Sequence, residues 1–66
     1  MEKGQIYKIG FNTAKRIGCE MLAYEELRVC DFGIDWILFR DMDGRAHAVD
    51  FFDKQERDEF ISNLSK

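Results

Sequence analysis

Asp43-Gly44 lies between two runs of strand-forming residues, and this placement constrains the chain more than any other feature. An Asp-Gly pair suits a two-residue type I′ turn, whose central residues both take positive φ. With that loop, Met42 faces Arg45, Arg40 faces His47, Leu38 faces Val49 and Trp36 faces Phe51. The other side then sets Phe39 beside Ala48, Ile37 beside Asp50 and Asp35 beside Phe52. On this register Trp36, Leu38, Val49 and Phe51 form an apolar surface, with Arg40, Arg45 and His47 as a basic spot nearer the turn. Ile37, Phe39, Ala46, Ala48 and Phe52 line the opposite face, where the two alanines leave room for a helix. A hairpin with large apolar residues on both sides needs cover on both sides.

Beyond the hairpin, Asp53 is placed to cap a helix. Its carboxylate can accept from the N–H of Glu56, and Glu56 can reach back, as in a capping box. Phe60, Ile61 and Leu64 form the apolar stripe, and Lys54 and Asp58 pair at i,i+4 on the wet side. Upstream, residues 5–11 alternate: Tyr7, Ile9 and Phe11 point one way, Ile6 and Lys8 the other, which predicts a strand. Asn12-Thr13 offers an N-cap, and Ala14, Ile17, Met21 and Tyr24 recur at helical spacing. A helix over about 13–27 is therefore expected, although Gly18 opposes it. The rival is a turn ending at Gly18 followed by a long strand. Residues 28–32 suit a short edge strand.

These elements predict one α+β domain, 1–66. It has a small antiparallel sheet of three to four strands centred on the hairpin 35–52. A C-terminal helix (about 53–65) packs on one face, and a helix (about 13–27) follows strand 1. The alternative is a small curled β-barrel-like meander plus the C-terminal helix. The segment 34–64 resembles the closing strand–turn–strand–helix of pleckstrin-homology-like domains. The resemblance covers that segment only, rests on no diagnostic motif and implies no function.

Charge narrows the partners. Residues 1–33 hold five basic and five acidic side chains, and 34–66 hold five and eight, which accounts for the net −3. A phosphate-backbone binder needs a concentrated positive field, so nucleic acid is disfavoured as a partner. The longest strongly apolar run is four residues, Trp36-Ile37-Leu38-Phe39, far short of the roughly 20 needed to span a bilayer. Met1-Glu2-Lys3-Gly4 leads into the first strand without a signal-peptide pattern, so the chain is expected to be cytoplasmic, with Cys19 and Cys30 reduced.

No cofactor or metal is expected. Cys19, Cys30 and His47 are three N/S ligands where structural zinc uses four. Asp41-Met42-Asp43-Gly44 matches a hairpin turn better than a calcium loop, because Phe39 stands where the first ligand belongs. Paired carboxylates among Asp31, Asp35, Asp41 and Asp50 would need a cleft that so short a chain scarcely affords, so no enzyme is expected. The doubly apolar hairpin points instead to a non-enzymatic interaction or regulatory protein of the size of phage or mobile-element inhibitors. It would act through Trp36, Leu38, Val49 and Phe51 on a protein partner or as a homodimer. The alternative is a small nucleic-acid-binding module using Arg40, Arg45 and His47.

Overall fold

Alternating side chains at one end of the chain and a tight turn near the middle build one antiparallel sheet. The computed structural model describes residues 1–65. Strands β1 (Ile6–Ile9), β2 (Glu26–Phe32), β3 (Trp36–Arg40), β4 (Ala46–Asp50) and β5 (Leu64–Ser65) lie in the order β4-β3-β2-β1-β5. Two helices interrupt them, α1 (Phe11–Arg16) and α2 (Lys54–Ser62), with a 3-10 turn over Glu20–Leu22. The α+β class is as the sequence predicts, with five strands rather than three or four. The hairpin is not the centre of the sheet: β2 is, and β4 forms an edge.

The first helix is much shorter than residues 13–27. It starts one residue before Asn12, with Gly10 at the N-cap and no side-chain cap. It ends in a Schellman motif: Cys19 N–H donates to the Ala14 carbonyl (2.9 Å) and Gly18 N–H to that of Lys15 (3.1 Å). Gly18 occupies the left-handed region at φ 75°, which an L side chain resists. Met21 and Tyr24, expected on the helix's apolar stripe, are exposed. Residues 26–32 form the central strand instead.

In β2 the apolar positions Leu27, Val29 and Phe32 break strict alternation. A bulge between Val29 and Asp31 absorbs the extra residue, so Val29 lies opposite Phe39 and Phe32 opposite Ile37. Without it Phe32 would leave the core side.

The α2 cap forms as expected, with Glu56 N–H donating to Asp53 Oδ1 at 2.9 Å. The return bond from Glu56 goes to the N–H of Phe52, one residue earlier, at 3.4 Å. Lys54 and Asp58 pair at 2.8 Å. The helix lies on one side of the sheet, where Phe60 meets Phe51 (ring centroids 5.1 Å) and Phe39 (6.2 Å). Around them Tyr7, Ile9, Leu27, Val29, Ile37 and Val49 complete the core, with Ala14 and Leu22 from the β1–β2 connection. Leu64, expected on the helix stripe, belongs to β5 and pairs with Ile9.

Candidate functional site

The turn at residues 41–45 decides what the outer face of the sheet contains. Its loop has three residues, not two: Asp41 N–H donates to the Arg45 carbonyl (3.0 Å) and Gly44 N–H to that of Asp41 (3.1 Å). Gly44 sits at φ 81°, the left-handed position that ends a type I turn with a bulge. Asp41 drives the choice, because its Oδ1 accepts from the N–H groups of Asp43 (2.9 Å) and Arg45 (3.0 Å). The register moves by one residue. Trp36 now faces Asp50, Ile37 faces Val49, Leu38 faces Ala48, Phe39 faces His47 and Arg40 faces Ala46.

This shift divides both predicted surfaces. Val49 and Phe51 are buried in the core, while Trp36 and Leu38 are half-buried on the opposite side. The apolar surface of Trp36, Leu38, Val49 and Phe51 therefore does not exist as one patch. Ala46 and Ala48 lie exposed beside Arg40 and Leu38, with no helix over them. The basic spot is divided too. Arg40 lies on the outer face, its Nη1 donating to the Gly44 carbonyl (2.7 Å). His47 lies on the helix side, its Nε2 at 2.8 Å from Asp41 Oδ2. Arg45 is exposed at the turn.

The outer face can now be read row by row from the strand pairings. Ile6, Arg28, Arg40 and Ala46 form one row, Asp31, Leu38 and Ala48 a second, and Trp36 with Asp50 a third. Lys8 and Glu26 pair beyond them. Half-buried Ile6, Trp36 and Leu38, with the two alanines, give this face an apolar centre. Arg28 and Arg40 stand directly opposite each other, a like-charge pair that costs stability. Neither joins an ion pair among the described residues, whereas Asp31 is held by Lys3 at 3.1 Å. Ile6 belongs to neither predicted surface, and Arg28 joins the predicted basic spot only as an outlying extension, because the strand order that sets both beside the hairpin does not follow from local spacing. The alternation through Glu26-Leu27-Arg28-Val29 was the available signal.

Trp36 owes its place to Gly33. A Cβ there would overlap the indole nitrogen and lie 2.6 Å from its Cε2. Arg57 of α2 donates to the Gly33 carbonyl, so the same turn anchors the helix on the other side of the sheet.

On the helix side, a cavity of about 290 Å³ between α1 and α2 is lined by Arg16, Phe51, Glu56 and Phe60, among others. Both cysteines are free. Among the described residues, no group of three or more His, Cys, Asp and Glu side chains is placed to hold a metal, and no helix is long and apolar enough to cross a membrane.

The Asp41–His47 pair gives a pH prediction. His47, then the Arg45 and Asp43 N–H groups, hold the Asp41 carboxyl below its ordinary value of 3.8. The folded state thus favours the charged form. The stabilisation is complete above that ordinary value and is lost as pH falls through the lowered one. Asp41→Asn keeps an oxygen for the turn but not the charge. The melting temperatures of wild type and Asp41→Asn should therefore differ at neutral pH and converge below about pH 4. Melts followed by circular dichroism across pH 2–7 test this, and parallel curves would refute it.

No protein-family model matches the chain, and neither a curated protein nor a solved structure matches it.

Proposed function

We propose that this chain is a non-enzymatic interaction protein whose outer sheet face docks on another protein and regulates it by occupying its surface. The observation that carries this reading is the pairing of an apolar centre (Trp36, Leu38, Ile6) with two arginines, Arg28 and Arg40, that lack a carboxylate partner among the described ion pairs. Such a face suits a partner that presents an apolar ridge and an acidic residue to meet the arginine pair. Lys8, Arg28 and Arg40 are balanced on it by Glu26, Asp31 and Asp50. Three positive and three negative charges do not favour a polyphosphate, so the protein-binding reading is preferred to the nucleic-acid one. Free Cys19 and Cys30 suit a reducing compartment such as the cytoplasm.

The test compares variants rather than captured proteins. Leu38→Glu and Arg40→Glu change the outer face, while Gln55→Glu changes the exposed side of α2. A partner captured from cell extract by wild type and by Gln55→Glu, but at least about tenfold less by each outer-face variant, supports the reading. Equal capture by all four chains overturns it.

A further inference from the structure

We infer that the free edge of β4 pairs antiparallel with β4 of a second copy, joining two sheets into one. This goes beyond the docking face and does not require it.

The backbone of β4 is directed for such pairing. Phe51 N–H donates to Asp35, and Asp41 N–H to Arg45, so both ends of the hairpin are hydrogen-bonded pairs. Antiparallel ladders alternate, so His47 and Val49 bond to β3 while Ala46, Ala48 and Asp50 turn their N–H and C=O groups outward. Although it ends in the charged Asp50, β4 carries no proline, lysine or bulge to blunt this edge. Ala46 and Ala48 are exposed and small, leaving the outward backbone open to a neighbouring strand. At the other edge of the sheet, β5 has only two residues. One usable edge closes at two copies about a two-fold axis instead of growing into a filament.

Side chains select the register. With the axis at Ala48, each Ala46 exchanges backbone bonds with Asp50 of the partner copy. The outer-face row becomes Arg28, Arg40, Ala46, then Asp50 and Trp36 of the partner copy. Arg40 and Asp50, neither in an ion pair among the described residues, are then separated by one alanine over which an arginine can extend. Next to it, Leu38 and Ala48 meet their own counterparts in a continuous apolar row. Moving the register by two residues either way sets Asp50 opposite Gly44 or Ala48 and loses the match. The same axis brings Phe52, 87% exposed, alongside the 42–44 turn of the partner copy, which carries Met42, 71% exposed.

Sedimentation equilibrium from micromolar to millimolar protein tests this. Wild type is expected at twice the 7.8 kDa chain mass at the upper end of that range. Ala48→Pro removes an outward N–H that the single chain does not use, so it should stay folded by circular dichroism and be monomeric. Arg40→Asp and Asp50→Arg should each weaken association at least about tenfold through like-charge contact, and the double exchange should restore it. Overturning results are a monomeric wild type, assemblies larger than two, or a dimer indifferent to Ala48→Pro and to the charge reversals. A monomeric wild type whose partner capture still depends on Leu38 would end this inference and leave the docking reading intact. A dimer with capture independent of Leu38 would do the reverse.

Discussion

Phe39→Ala should leave the chain largely unfolded at room temperature. Phe39 is fully buried, the largest side chain to be so, and its ring lies 6.2 Å from that of Phe60. It joins the sheet to α2 through that ring contact. Truncating a buried Phe costs about 3–5 kcal/mol in transfer free energy and cavity. A domain of this size has a net stability of roughly 3–5 kcal/mol, so one substitution cancels most of it. Leu38→Ala, the neighbouring residue on the outer face, is half-buried and should cost about 1–2 kcal/mol or less. Urea melts by circular dichroism will separate the two cases. Similar midpoints for Phe39→Ala and Leu38→Ala would mean that the faces have been assigned wrongly.

Gly33→Ala should cost about 1–3 kcal/mol although it adds only one methyl group. The added carbon falls on the Trp36 indole, and because the Gly33 backbone is held on both sides, the half-buried ring must move. The Gly33 carbonyl is held by Arg57, and its N–H donates to the Trp36 carbonyl at 3.0 Å. Trp36 is the sole tryptophan, so its fluorescence reports the displacement directly. A red-shifted emission is expected as the ring leaves the sheet. In a Trp36→Ala background the same substitution should be nearly free, because the overlap is gone. A full cost in that background would place the strain in the backbone and not at the indole.

Local chemistry made much of the architecture legible. The Asp53 cap, the Lys54–Asp58 pair and the chain reversal near Asp43-Gly44 each depend on residues within a few positions of one another, and each forms. The α+β class follows from them. Less visible was the end of the first helix. Ala14, Ile17, Met21 and Tyr24 keep helical spacing, but the Schellman bonds around Gly18 stop the helix at Arg16. One glycine placed to cap outweighed a stripe of which the core takes up Ala14 and Ile17 and leaves Met21 and Tyr24 exposed.

The site was harder to read because it depends on parity. Two-residue and three-residue loops share the same Asp-Gly signal, and one residue of register turns every β4 side chain over. Asp41 was the deciding group, since its carboxylate organises the longer turn and takes His47 as well. Trp36 and Leu38 do share a face, but Val49 and Phe51 pass to the core and Arg28 lies beside Arg40.

The strand order also bears on how quickly the molecule assembles. Neighbours β1 through β4 are successive in the chain; the β2–β3 and β3–β4 pairings close short loops at low entropic cost, while the β1–β2 connection, residues 10–25, carries α1. The β1–β5 pairing, Lys8 with Ser65 and Ile9 with Leu64, spans nearly the whole length. A mainly sequential sheet of this kind is expected to fold at a rate between those of helical bundles and β-sandwiches. The two-residue β5 would zip up last and fray first, and its amides would exchange with solvent while those of β2 and β3 remain protected.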